Sequence, residues 1–460
     1  MSGKQFLYLF LTVCILILAS LYFYQAKIPK QGTLILGQTS GRSLHEVYVR
    51  GLGDGIHEPP SSNSPMGRYE NAAIATDHAK CSKIGKDMMY NGGSAVDAAI
   101  AAMLCIGVLH SQSAGIGGGS LATIYDTKKR DVLTLDCREE APSISNTHMF
   151  VQNMDASLTG GLAIGVPSQV AICYKKMHEL YGTLPWKALF QPTIEICREG
   201  FKIGQAMGAG LERQTRESLN PGMKIFINPD TDEPYQEGDY MRMPDLADTL
   251  ELIAEKGAQE FYHGDLARSV VNEIQEAGGR IILKDLRSYN VLVKRALNLT
   301  LANGNYTVLC PPPPSGGATL LYVLNILDGY NFSADSLATT QKSVLTYHRI
   351  IEAFKFAFAK RSLLGDERFT NTDEIVKLMM SKDYAAHIRD IITDEETHDY
   401  NYYGAEYDNV ENHGTSHLSI LGPDGIAVSL TSTINTFYGS KVLGTKTGIL
   451  YNNNMDDFAT

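Results

Sequence analysis

Several familiar hydrolase signatures are missing from this sequence. It contains no Gly-x-Ser-x-Gly elbow, no His-Glu-x-x-His segment and no Cys-x-x-Cys pair. Those absences exclude a nucleophile-elbow serine site, a zincin-type metal site, and zinc-ribbon or thioredoxin-like sites. The glycine run Gly115 to Gly119 lacks a following Gly-Lys-Ser/Thr, and an alternating strand pattern follows where a phosphate loop would open a helix. It reads instead as a turn where backbones approach closely. Positive charge is also in short supply, with 40 Lys and Arg against 51 Asp and Glu and a net charge of −11. A surface of that sign repels phosphate backbones, so no nucleic-acid partner is expected. His413 and His417 have i,i+4 spacing but flank a loop-to-strand junction, so they share no helix face, and neither metal nor cofactor is expected. The paired carboxylates Glu139-Glu140 and Asp456-Asp457 read as solvated rather than catalytic.

One stretch lacks charge altogether. Phe6 to Tyr24 is uncharged over 19 residues, which is about 28 Å of helix and enough to cross a ~30 Å hydrocarbon layer. No small-x-small cleavage site follows, so an uncleaved signal-anchor is expected at 6–24. Residues 1–5 would then be a cytoplasmic tail and 25–68 a stalk rich in Gly, Ser, Pro and Asn. Acceptor sequons at Asn298, Asn305 and Asn331 favour a luminal or extracellular body, giving a single-pass type II protein of the cell membrane. Outside the anchor, Cys81, Cys105, Cys137, Cys173, Cys197 and Cys310 form an even set that permits disulfides there.

The body, 69–414 and 415–460, alternates helical and strand patterns and is expected to be α/β. Asp77 to Leu109 is helical with a break at Gly92-Gly93, and Ser94 to Ala102 is a small-residue helix suited to close packing. Leu121 to Tyr125 and Val132 to Cys137 read as a hairpin. Further helices are expected from Leu246 to Lys256 with Asp245 as N-cap, from Asp265 to Glu276, after Pro311 to Gly317, and from Asp373 to Ile392. Thr397 to Gly414 loses apolar periodicity and reads as an exposed loop.

The next segment carries the chemistry. Thr415 to Leu421 alternates, Gly422-Pro423-Asp424-Gly425 is a turn, and Ile426 to Asn435 continues as a strand. Pairing Leu421 with Ile426 sets Thr415 beside Ser432, whereas a one-residue bulge sets it opposite Thr433. A hydroxyl is a weak nucleophile without a base. Cleavage between Gly414 and Thr415 would place a new α-amino group, with reference pKa about 7.7–8.0, on the nucleophile's own residue. On spacing alone, Thr415 is a β-branched strand residue first and a nucleophile second. The tail from Tyr451 to Thr460 is a polar cluster suited to a zwitterionic group.

Cys81 to Tyr125 resembles the large-subunit core of the γ-glutamyltransferases, also called glutathione hydrolases. Arg138 to Pro142, Gly165-Val166-Pro167, Pro311 to Gly317, Gly414 to Ser419, Thr431 to Asn435 and Asn452 to Phe458 continue the resemblance in order. It implies an αββα four-layer N-terminal-nucleophile sandwich that cleaves itself at Gly414-Thr415 into large and small subunits of one precursor. Thr415 would attack the γ-glutamyl amide of glutathione or a related γ-glutamyl compound. Water, an amino acid or a dipeptide would then accept the glutamyl group. By the same resemblance Thr433 supports the nucleophile and Arg138 pairs with the substrate α-carboxylate. Asn435 and Asp457 hold the γ-glutamyl group, Asp457 taking its ammonium. Asn454 stands where Glu or Gln is usual, and Cys81 and Cys105 match a family disulfide. The segment 415–460 is shorter than the family's small subunit, so the sandwich is expected to be incomplete and to lack the family's paired serines and oxyanion-hole glycines. A catalytically inactive membrane-anchored form and a related amidase of the same fold are the alternatives.

Overall fold

The computed structural model describes residues 67–458 apart from 216–218, 220–221 and 407–413. The expected anchor at 6–24 and nearly all of the stalk lie outside the described residues. Among the described residues no helix is long and apolar enough to cross a membrane.

The centre is an antiparallel six-stranded sheet. Its strands are β1 (Ala73–Thr76), β2 (Gly119–Asp126), β3 (Asp131–Cys137), β4 (Leu292–Arg295), β7 (Ser416–Leu421) and β8 (Ile426–Thr433), in spatial order β1-β7-β8-β2-β3-β4. The hairpin from Thr415 therefore sits inside the sheet between β1 and β2, although it comes last in the chain. A separate ladder pairs β5 (Leu297–Leu301) with β6 (Tyr306–Cys310).

The β7–β8 register pairs Leu421 with Ala427 and Ser416 with Ser432. This is the bulged alternative rather than the Leu421–Ile426 pairing. The cause is the turn: Gly422 donates to Ile426, Gly425 donates to Gly422, and Gly425 takes a φ of +82°. A three-residue loop closed by a left-handed glycine shifts the register by one relative to a two-residue loop. The tip is tied down, because Asp424 accepts from Ala95 N at 3.2 Å and Thr127 donates to the Gly425 carbonyl at 2.6 Å.

One face of the sheet is covered by helices. α1 (Ala79–Tyr90) and α2 (Ala95–Leu109) are separated by the predicted glycine break and joined by the Cys81–Cys105 disulfide. Ala98, Ala99, Ala101 and Ala102 are fully buried, so the small side chains bring α2 close to α1 and to β7 and β8. Ile100, Met103 and Ile106 are also fully buried, each contributing about 1.5–3 kcal/mol relative to exposure. α3 (Trp186–Glu199) packs on α2 and on α4 (Pro244–Lys256), with α5 (Asp265–Glu276) beyond. A second cluster joins α6 (Gly317–Asp328), α7 (Thr340–Arg361), α8 (Asp373–Met380) and α9 (Lys382–Ile391).

Three local expectations change. α4 starts at Pro244 with Met243 as its cap, not Asp245, because proline at the first position has no N–H to leave unsatisfied. The helix expected over Asp373 to Ile392 is split at Ser381, whose extended backbone ends α8 while its hydroxyl caps α9 through Tyr384 N. The loop after Thr397 is partly pinned, since buried Tyr403 donates to Glu352 at 2.8 Å. The three sequon asparagines are exposed. A second disulfide joins Cys137 to Cys173, and Cys197 and Cys310 are buried thiols.

The start of α2 rests on one carboxylate. Ser94 and Asp97 form a reciprocal capping box, and Asp97 Oδ2 also accepts from Thr183 N, Thr183 Oγ1 and Leu184 N at 2.8–3.1 Å. Asp97 is fully buried, so truncating it strands several donors. Asp97→Ala is expected to lower stability by about 2–4 kcal/mol, read as a lower urea midpoint with an unchanged m-value. An unchanged midpoint would show that the box carries no stability.

Candidate active site

Thr415 is exposed and lies immediately before β7; continuing the register places it opposite Thr433. Its Oγ1 is 3.2 Å from Thr433 Oγ1 and donates to the Gly414 carbonyl at 2.5 Å. Thr433 Oγ1 also donates to that carbonyl at 3.0 Å and accepts from Asn435 N at 2.9 Å. Two hydroxyls therefore converge on the carbonyl of the peptide bond that precedes Thr415. Gly414 has φ +105°, open to glycine, and a Cβ there would come within 2.9 Å of the Asn435 carbonyl.

The glycine run holds this corner together by close approach. A Cβ on Gly118 would lie 2.0 Å from the Thr433 carbonyl, and one on Gly117 would lie 2.2 Å from the Leu450 carbonyl. Backbone-to-backbone packing, not phosphate binding, explains these positions.

Beside the threonines, Arg138 Nη2 meets Asp457 Oδ2 at 2.5 Å. The two side chains keep 29% and 22% of their surface exposed, so the pair is reachable from solvent. Asn454 Nδ2 donates to the same Asp457 oxygen at 3.1 Å, while Asn454 Oδ1 is buried without a hydrogen-bond partner. A charged pair with one unused acceptor matches the complementary ends of an α-amino acid.

Not all of the polar tail faces a ligand. Asn452 donates to the Gly117 and Gly165 carbonyls and accepts from Gly165 N. Asn453 bonds to Leu158 O and to Thr436 through both its N and Oγ1. These two asparagines satisfy backbone groups of separate loops. Asn435 is buried, and its amide donates to the Asn453 carbonyl at 3.1 Å, so it joins β8 to the tail as a structural link. Asp456 is held by Ser157 Oγ at 2.7 Å.

Glu139 overturns its expectation. Glu140 is partly exposed and pairs with Arg368, but the Glu139 side chain is only 1% exposed, and neither of its oxygens has a hydrogen-bond partner. Burial pushes its carboxyl up to about 7, against the opposing pull of Arg138. The signal that marks it lies in its neighbours: a Cβ on Gly119 would strike Glu139 Oε2 at 2.4 Å, and one on Gly165 would come within 3.1 Å of Glu139 Cβ. Gly119 makes the space that this carboxyl fills, and Gly165 makes room for the Cβ of the same side chain.

Residues 81–460 match the profile of the family described as Gamma-glutamyltranspeptidase. The chain is 40% identical to Scoloptoxin SSD14 of Scolopendra dehaani, covering 90% of this chain and 70% of that protein. It is 39% identical to Glutathione hydrolase 3 of Arabidopsis thaliana over 85% of this chain and 60% of that protein. It is 38% identical to Glutathione hydrolase 5 proenzyme of Rattus norvegicus over 85% and 68%. The chain thus spans between 60% and 70% of the length of these relatives. Among solved structures, cephalosporin acylase from Bacillus halodurans superposes with a TM-score of 0.73 at 25% identity, covering 88% of this chain and 74% of that one. The Helicobacter pylori gamma-glutamyltranspeptidase superposes with a TM-score of 0.68 at 29% identity, covering 75% and 100%. A profile match over most of the chain, over the same residues that build this corner, establishes that the chain belongs to the gamma-glutamyltranspeptidase family.

Proposed function

We propose that this chain is a precursor that cleaves itself at Gly414-Thr415 and uses Thr415 to hydrolyse or transfer the γ-glutamyl group of glutathione and related compounds. The observation that carries this reading is the convergence of Thr415 Oγ1 and Thr433 Oγ1 on the Gly414 carbonyl. In the first step the Thr415 hydroxyl adds to the Gly414 carbonyl carbon, and Thr433 donates to the oxygen as charge develops on it. Collapse breaks the C–N bond as the proton given up by Oγ1 passes to the leaving nitrogen, leaving an ester on Thr415 Oγ1 and a free α-amino group. Water then releases the Gly414 carboxylate. The freed amine, with a reference pKa of about 7.7–8.0, serves as base for the same hydroxyl in turnover.

Arg138 and Asp457 are expected to exchange their mutual contact for the α-carboxylate and α-ammonium of the glutamyl group, with Asn454 Oδ1 as a further acceptor. Such a pair favours a γ-glutamyl substrate over the acyl group of a general amidase, although an acylase shares the fold. The reading includes the αββα four-layer sandwich, of which the six-stranded sheet and the helices on one of its faces would be two layers. Two disulfides and three exposed sequons support a luminal or extracellular body behind the anchor at 6–24.

Purified protein is expected to release a fragment beginning at Thr415, seen by gel and N-terminal sequencing, and to turn over γ-glutamyl-p-nitroanilide. Thr415→Ala should remain one 50.4 kDa chain without turnover; turnover surviving in that variant would remove Thr415 from the chemistry. Thr433→Val is expected to slow self-cleavage about 10²–10³-fold, and an unchanged rate would deny it the oxyanion role. Arg138→Lys keeps the charge but loses the planar fork, so kcat/KM should fall about 100-fold; an unchanged value would place the α-carboxylate elsewhere.

A further inference from the structure

We infer that Glu139 is a proton-linked positioning residue, which must be neutral for Arg138 to receive the α-carboxylate of the ligand. The inference rests on the γ-glutamyl reading above and adds to it a role for a side chain which that reading leaves unused.

The placement comes first. Gly119 is the register partner of Thr433, and Thr433 faces Thr415. The Glu139 carboxyl lies where a Gly119 side chain would be, and so extends the row of Thr415 and Thr433 by one strand. It also lies beside the Arg138 guanidinium, with Nε 3.8 Å from Oε2, while Asp457 holds Nη2 at 2.5 Å. At 3.8 Å the Glu139 contact is too long for a hydrogen bond, and both of its oxygens are buried without one.

A charge count follows from this arrangement. One guanidinium already faces two carboxyl groups. A ligand carboxylate would be the third, and the ligand ammonium compensates only Asp457. With Asp457 compensated, two anions would share one guanidinium, and the carboxyl that loses its charge most easily is the buried one with no hydrogen bond from another residue to stabilise the ionised form. That carboxyl is Glu139.

The groups facing it are Arg138 and Asp136 from β3 and its extension, Asp457 from the tail, and the phenol of Tyr262, with Tyr289 beyond. Burial raises both phenols above their usual range, so they stay neutral near pH 7. Glu139 itself is held at about 7, chiefly by burial. An anion bound beside it raises its proton affinity further. Binding must therefore take up a proton above pH 7, and little or none well below, where the proton is already present. Affinity is expected to fall by up to about tenfold per pH unit above 7.

The test uses L-glutamate, which carries the same α-carboxylate and α-ammonium and needs no turnover. Calorimetric titration in two buffers of different ionisation enthalpy, at pH 6 and pH 8, counts the protons exchanged. At pH 8 the wild-type protein should take up about one proton more per glutamate than Glu139→Gln, and at pH 6 the two should agree. Exchange by the ligand or by a Thr415 amine is common to both proteins and cancels. Infrared difference spectra provide a check on the wild-type chain alone: a protonated-carboxyl band lost between pH 6 and pH 8 should return when glutamate is added. Equal proton uptake in the two proteins at pH 8, or a band that does not return, overturns the proton linkage while leaving the γ-glutamyl site standing. Failure of glutamate to bind either protein at either pH overturns the γ-glutamyl reading and this inference with it.

Discussion

The position of the corner around Thr415 depends on the hydrogen-bond register between β7 and β8. Strand side chains alternate faces, so a shift of one residue sends every side chain of a strand to the opposite side. Here the three-residue loop, closed by Gly425 in a left-handed conformation, pairs Ser416 with Ser432 and leaves Thr415 across from Thr433. The two threonine hydroxyls are 3.2 Å apart as a result. Asp424 at the loop tip is bonded to the first turn of α2, so the register is tied to the most deeply buried helix of the fold.

The same register accounts for how the core is separated from Thr415 and Thr433. Leu418, Ile420, Val428 and Leu430 are buried toward α2, while His417, Ser419 and Leu421 alternate with them as exposed residues. Thr415 and Thr433 share the parity of the exposed set. The hydrophobic layer can therefore be dense without enclosing Thr415, and the corner around Thr415 can be open without weakening that layer. Ser416 and Ser432, which share the parity of the buried set, end the apolar run with small hydroxyl side chains where the helix cover gives way to the site.

Much of this was legible in the residues. The break at Gly92-Gly93, the alanine run after Ser94, the β2–β3 hairpin and the strand after Thr415 are local patterns with local causes. The register was not, because two-residue and three-residue loops both suit Gly-Pro-Asp-Gly, and only the fold shows Gly425 left-handed in the longer loop, with Asp424 accepting from Ala95 N at its tip. The roles within the tail were also hidden. Four neighbouring polar residues read alike, yet Asn452 and Asn453 satisfy backbone groups of distant loops while Asp457 meets Arg138 and Asn454 donates to Asp457. Only the fold distributes those tasks. Glu139 and Glu140 show the limit most sharply, because adjacent identical residues on an irregular extension point to opposite environments.

The close approaches around the corner suggest why so many of its parts are glycine. Gly117, Gly118, Gly119 and Gly165 each border a backbone carbonyl or side chain that a Cβ would meet at 3.1 Å or less. Removing four side chains leaves room for two kinds of contact. At Gly117 and Gly118 the space is taken by the backbones of the tail and of β8, which brings residues from three distant parts of the sequence within hydrogen-bond reach. At Gly119 it is taken by the Glu139 carboxyl and at Gly165 by the Cβ of the same side chain. A buried acid without hydrogen bonds weakens a fold, and an apolar side chain of similar size would fill the same space at lower cost. Its presence beside the arginine expected to hold the substrate is therefore easier to explain by chemistry than by packing, and that consideration directs attention to Glu139 rather than to the better-satisfied acids around it.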